Sequence, residues 1–553
     1  MNPAKSILAL SLGLILPSAA DTTYTYLLDD SEATLTGFTE SAEPSGALTI
    51  PATVDGYTVV AVDRGAFRDR DEITSITFAS GSSVTSLGPS AFAGCTGLTA
   101  LTLPAGVTDL PMGVCEGCTA LASVSLPSTT VTIGAAAFAH CSSLATLELP
   151  SSLASLGESA FLDCSALTSL TVPSGVTSLP DQVFDGCRSL ASLSLPAQLE
   201  TIGERAFHDN DSLITFIVPE NVTSISNGAL GDCSALESVQ LNASLNHLGD
   251  QVFLGCHALT ALEVDASNTE FSSQGGVLFN ASGSLLRLAP PGISGRFSIP
   301  STVAQLSPGA FAHCSQLEEI ELPESLVELP EDAFYYASAL SQLEIPSTVS
   351  ILGSWCLAGT GLTGITLPSA VNTIGDDAFH FARSLAWAFF EGDAPEEMGE
   401  TVFDDTASGF TVFFPANATG FTTPTWLGYP AQSLEIATAL AHWLVEQGYS
   451  PGADPEGDEN GDGISLLTAY ALGLDPSLDL AASMPQPVWT ENGLSLTFTG
   501  NREGVTYSAQ SSADLQSWTA DDVTLSDPDE SGQRTATLTS GETSRFLRLV
   551  FSP

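Results

Sequence analysis

Apolar residues recur at fixed places in a 23-residue frame along most of the chain. Pro104, Pro127, Pro150, Pro173, Pro196 and Pro219 stand 23 residues apart, and the frame returns at Pro300, Pro323, Pro346 and Pro368. Between prolines the order is constant, as in Pro150–Val172: Pro, an apolar residue, Leu-Gly, Ala-Phe, Cys, then Leu-x-x-Leu-x-Val. The alternation in Leu144-Ala145-Thr146-Leu147-Glu148-Leu149 predicts a short strand with its apolar side inward. The following Pro, which has no N–H to donate, closes it. Val131-Thr132-Ile133-Gly134 predicts a second extended piece. Ala136 to Cys141 is too short for an independent helix and predicts one helical or 3₁₀ turn, held by a buried Phe. One such coil cannot bury its own apolar side, so neighbouring coils must supply the wall, and the pattern predicts a solenoid.

The frame covers residues 50–386 in about thirteen coils. It breaks at 265–299, where Val277-Leu278-Phe279, Asn280-Ala281-Ser282-Gly283 and Leu285-Leu286-Arg287-Leu288 predict a hairpin. Alternating patches in 21–49 predict an N-terminal cap. Phe389-Phe390, Thr411 to Pro415 and Trp426 predict a second cap over 387–432. Leu434, Ala437, Leu440, Ala441 and Leu444 then follow helical spacing, opening a helix-plus-loop segment over 433–485. Alternation from 486 to 553 predicts a small β-sandwich. At the other end, Lys5, the apolar run Ile7 to Leu16, and Ser18 and Ala20 predict a signal peptide over 1–20. No later apolar run is long enough to span a bilayer, so a soluble exported protein without a transmembrane segment is expected.

Three passages carry a family resemblance: Ile50 to Phe67 (IPATVDGYTVVAVDRGAF), the recurring IGxxAFxxCxxLxxLxLP core, and Gly275 to Pro291 (GGVLFNASGSLLRLAPP). They resemble the BspA-like leucine-rich repeat proteins of bacterial surfaces, over roughly residues 22–430. The resemblance implies a leucine-rich-repeat solenoid, β-rich with one-turn helices, to which the remaining pattern adds a C-terminal short α segment and a small β-sandwich. It also implies a secreted or cell-surface location and attachment to matrix proteins or other cells.

Charge and cysteines narrow the partners. Formal net charge is −51, and the one lysine, Lys5, lies in the signal peptide. Such a surface repels nucleic acid and anionic lipid. The expected partner is a protein, basic or matrix-type, met by a monomer. Ten cysteines in an exported chain invite disulfides. However, Cys95, Cys118, Cys141, Cys164, Cys187, Cys233, Cys256 and Cys314 share one coil position, which Asn210, Ala337 and Thr360 fill elsewhere. That exchange predicts free, buried thiols acting as small donors.

Candidate chemistry is sparse. Asp458-x-Asn460-x-Asp462-Gly463-Ile464 is the first half of an EF-hand-like calcium loop, with side-chain oxygens at Asp458, Asn460 and Asp462 and a carbonyl at Ile464. With the following helix it resembles the calcium modules of secreted bacterial proteins, dockerin halves included. It departs from them at Ala469, where the bidentate acid belongs, and there is no second copy. No zinc-protease, nucleophile-elbow, Walker or dinucleotide motif is present, and the seven histidines are scattered, so no enzyme is expected. His140 and His313 share the place before the ladder Cys and are assigned to a turn.

The outward strand positions define the expected binding face. Towards the N-terminus they are small and neutral, for example Ser169, Thr171, Ser192 and Ser194. Later they turn polar and acidic: Gln240, Glu263, Glu319, Glu321, Gln342 and Glu344. The expectation is adhesion or protein binding through this face. The alternatives are a glycan-binding accessory of polysaccharide breakdown and a structural envelope component. All six tryptophans lie at Trp355 or later, which weighs against a glycan face on the repeats.

Overall fold

Alternate backbone N–H groups in each turn of the repeat point in opposite directions, and this builds the stack. In one coil Ala137, Ala139 and Cys141 donate to Gly134, Ala136 and Phe138, closing three short turns (3.1–3.2 Å). The intervening Ala136, Phe138 and His140 donate instead to Glu158, Ala160 and Leu162 of the next coil (2.6–2.9 Å). The expected single turn is thus a chain of tight turns. It requires left-handed backbone at two places per coil: Ala136 (φ 52°) and His140 (φ 60°), then Ser159 and Asp163, both φ 55°. His313, at φ 60°, fills the second place in a later coil, as the turn assignment expects.

The computed structural model describes residues 24–39, 45–435, 438–490, 493–538 and 546–552. The signal-peptide assignment lies outside them. The chain divides into two units. The first comprises 1–295, 302–317 and 336–338; the second comprises 296–301, 318–335 and 339–553.

In the first unit Tyr24–Asp29 and Glu32–Phe38 form the expected capping hairpin. The hairpin also enters the stack, because Glu32–Phe38 pairs in parallel with Tyr57–Val62; the following strand, Gly46–Ile50, pairs in parallel with Ile73–Phe78 in the other ladder. Two parallel ladders follow. One joins the Leu-x-Leu strands in a register of one coil, as in Ser169↔Ser192 and Leu170↔Leu193. The other joins the two-residue strands before the conserved-frame Gly, as in Thr201↔Ser224 and Ile202↔Ile225. This second ladder is segmented by proline. Gly134 and Gly157 donate to Leu110 and Ile133 one coil back (2.8 and 2.7 Å). Pro111 and Pro180 hold the same place without an N–H, and the ladder is interrupted before Asp109–Leu110 and before Ser178–Leu179.

Side chains complete the stack. Phe138, Phe161, Phe184 and Phe207 are fully buried, with successive ring centroids 5.7, 5.6 and 5.5 Å apart. All ten cysteines are buried and unpaired with one another. Their thiols reach back across the coil: Cys95, Cys164 and Cys187 donate to the carbonyls of Phe67, Phe138 and Phe161 (3.0–3.3 Å). Asn210 puts its Nδ2 on Phe184 O at 2.9 Å, so the amide replaces the thiol as donor. The insert forms the expected hairpin between Val277–Asn280 and Leu285–Leu288, with a third antiparallel strand, Phe271–Gln274.

In the second unit Glu328–Leu329, Ile351–Leu352, Thr373–Ile374 and Glu397–Met398 form one parallel ladder. Gly364–Leu367, Trp387–Phe390, Thr411–Pro415 and Tyr429–Leu434 form the other. The segment expected as a C-terminal cap therefore extends the ladder. Its loop is closed by Trp426 against Phe390 and Phe421. Helix α1 (Thr438–Glu446) packs Leu440, Trp443 and Leu444 on Leu466, Leu467 and Tyr470 of helix α2 (Leu466–Leu472). Ser465 caps α2 by accepting from Thr468 N, and Gly473, at φ 69°, ends it. The last module is two antiparallel sheets sharing a core of Phe498, Ala509 and Ala536, which α2 enters through Leu472. No helix of the described residues is long and apolar enough to cross a membrane.

Candidate interaction surface

Strand register decides which of the expected face residues meet. In the first unit Gln240 lies directly beside Glu263, and Ile217 beside Gln240. Ile217 is 65 % exposed, an apolar side chain within the polar column. Its signal is the strand Thr215-Phe216-Ile217, where burying Phe216 forces Ile217 outward.

In the second unit Glu319 is paired with Gln342, and Glu321 and Glu344 lie two residues further on, both exposed. Arg296, which the sequence pattern does not place on this face, sits against the two acids. Its guanidinium is 3.4 Å from Glu319 and also binds Glu321. The neighbouring backbone fixes this contact, since Ile299 N–H donates to Glu321 O at 3.0 Å. A hydrogen bond from Ser298, with Arg296 second, holds the Glu321 carboxyl below the usual range. The patch thus carries three carboxylates and one guanidinium, and remains net negative.

The loop before α2 is folded by its own amides. Asp458 accepts from Asp462 N (3.1 Å) and Gly463 N (2.8 Å), and Asn460 Oδ1 also accepts from Asp462 N at 3.1 Å. Oxygens of Asp458 and Asn460 therefore converge on one N–H. Asp462 turns Oδ1 to Ile464 N and Oδ2 to Leu480 N (2.8 and 2.7 Å). Hydrogen bonding, led by that from Leu480 N, lowers the Asp462 carboxyl pKa. Asn460 Nδ2 donates to Pro476 O and Leu478 O, tying the loop to the turn beyond α2. Ala469 is buried in α2, so no acid reaches the loop from the helix. Among the described residues no three His, Cys, Asp or Glu side chains gather as metal ligands.

A family profile described as "BspA type Leucine rich repeat region (6 copies)" matches residues 60–190, 155–281 and 295–408. No curated protein matches. Among solved structures, a leucine-rich repeat protein from Bacteroides ovatus is 22 % identical, with a TM-score of 0.48 over 75 % of this chain and 98 % of that one. A leucine rich cell surface protein from Faecalibacterium prausnitzii is 22 % identical, with a TM-score of 0.41 over 72 % and 94 %. A T. pallidum leucine rich repeat protein is 31 % identical, with a TM-score of 0.31 over 34 % and 85 %.

Proposed function

Because the chain belongs to the BspA-type leucine-rich repeat family, we propose that it is a secreted or cell-surface binding protein that engages a basic protein through its outward strand face. The observation that carries this is the exposed group of Glu319, Glu321, Glu344 and Gln342 on adjoining strands. A related solved structure is described as a cell surface protein, which fits the location. A strand face whose three carboxylates outnumber its one guanidinium suits a cationic surface, and such association is fast and salt-sensitive. Glycan binding stands second. Among the tryptophans of the described residues only Trp489, at 63 %, exposes its ring broadly, and sugar platforms need more.

The test is Glu319→Gln, Glu321→Gln and Glu344→Gln together, against a control with Glu396, Glu397 and Glu400 changed to Gln. Both variants lose three charges. With cytochrome c as the basic probe at low salt, the face variant is expected to bind about tenfold more weakly than the control. Equal affinity of the two variants would remove the face from the proposal.

The acidic loop is the second part of the proposal. Asp458, Asn460, Asp462 and the Ile464 carbonyl supply four of the six to eight oxygens that calcium takes, without a bidentate acid, so a weak, millimolar site is expected. Calorimetric titration of the full chain with calcium chloride should show this heat, and Asp458→Asn should abolish it. Absence of heat at about 10 mM calcium would leave the loop a purely structural turn.

A further inference from the structure

Besides the proline breaks, the ladder of two-residue strands parts after His247–Leu248, and this parting opens a site separate from the outward face. In regular coils two carbonyls accept from the next strand. Thr223 O takes His247 N (3.1 Å) and Ile225 O takes Gly249 N (2.8 Å). The equivalents one coil on are Asn246 O and Leu248 O, and among the described residues neither has a backbone donor. Proline does not explain this break. The strand due to donate, Phe271–Gln274, contains no proline, but it pairs antiparallel with Val277–Asn280 instead. The ladder resumes at Gln305–Leu306, where Gln305 N–H goes to Ser284 O (3.2 Å) and Ser307 N–H to Leu286 O of the hairpin (2.9 Å).

A cavity of about 460 Å³ lies at the parting, within the range of ligand sites. The strand around Leu248, with Asp250, lines one part. Glu270, Phe271, Asn280 and Arg287 of the insert line another. Arg287 lies over the Phe271 ring at 5.9 Å. Among the described residues its guanidinium has no carboxylate partner, and neither Asp250 nor Glu270 has a cation. Phe271 is 6 % exposed under that guanidinium, so the cavity offers no open ring on which a sugar could stack.

We propose that this cleft binds an extended peptide with basic side chains, added as a strand beside His247–Leu248. Two peptide N–H groups, two residues apart, would meet Asn246 O and Leu248 O as His247 and Gly249 meet the coil before. A basic side chain would face Asp250 and Glu270, leaving Arg287 for a peptide carbonyl. The site does not depend on the acidic outward face.

The test uses the full chain and a fluorescein-labelled peptide amide, Gly-Val-Lys-Val-Lys-Val, followed by anisotropy. Binding is expected below about 1 mM. An analogue N-methylated on alternate peptide nitrogens keeps the charge but loses the N–H groups, and should bind about tenfold more weakly. Asp250→Asn with Glu270→Gln should weaken binding similarly, and the outward-face triple variant should not. Equal binding of the methylated peptide, displacement by maltohexaose, or no binding at about 1 mM would each overturn the proposal. If the double variant fails to fold, the methylated peptide on the unaltered chain still decides.

Discussion

Raising the pH above about 9 is expected to unfold the coils that carry the cysteine column, well before other ionisations matter. Burial pushes the Cys141, Cys164, Cys187, Cys314 and Cys356 thiols up. For Cys95 and Cys233 a hydrogen bond with the neighbouring thiol, Cys118 or Cys256, comes first and burial second. A group with a raised folded pKa stabilises the fold fully below its unfolded pKa, here about 8.5, and that contribution is lost as pH rises. Each thiol then costs about 1.4 kcal/mol per pH unit, and the six of the column in the first unit together cost on the order of 8 kcal/mol per unit, comparable to the whole stability of a domain. Tyr26, through its hydrogen bond to Asp55, and Tyr429, through burial, are both pushed up to about 12 and add to the loss above pH 10. Circular dichroism across pH 7–11, with reductant present, checks this. The native protein should also resist thiol alkylation at pH 8, and ten thiols should react after denaturation.

Phe161→Ala is expected to cost about 3–5 kcal/mol, because it leaves a cavity between two fully buried rings. Phe138 and Phe184 lie 5.7 and 5.6 Å away on either side. Phe138→Ala should cost less, since Cys115 holds the ring position one coil before it and only Phe161 stacks on Phe138. Stability in a solenoid is close to a sum of coil and nearest-neighbour terms. Urea midpoints of the two variants should therefore differ in that order. Equal costs would mean that the rings do not act as a stack.

The period of the chain made strands, register and the buried Phe and Cys columns legible, because a repeated apolar frame has one stacking solution. The exchange of Cys for Asn at residue 210 was likewise informative, since Cys164 and Asn210 donate to the Phe carbonyl at the same place in their respective preceding coils, Phe138 O and Phe184 O. The turn geometry was less legible. Ala136, Ser159, Gln182 and Arg205 all adopt positive φ in one column, so residue type gives little sign of the left-handed backbone there. The insert hid most. Once the 23-residue phase is lost, nothing in the sequence places Arg296 against Glu319 and Glu321, or shows that Phe271–Gln274 pairs with the hairpin and not with His247–Leu248. The hairpin itself was legible from Asn280, whose Oδ1 accepts from Ser284 N and Leu285 N (3.0 and 3.1 Å).

Site-specific photo-crosslinking locates binding on or off the outward strand face. A photoreactive residue replaces Gln342 on the face in one protein and Ser350 in the other ladder's coil segment in a second. Each is irradiated with cytochrome c at low salt. Crosslinks concentrated at residue 342, and lost on adding moderate salt, are the predicted result. Equal crosslinking at both positions, or a yield at 350 exceeding that at 342, would contradict it.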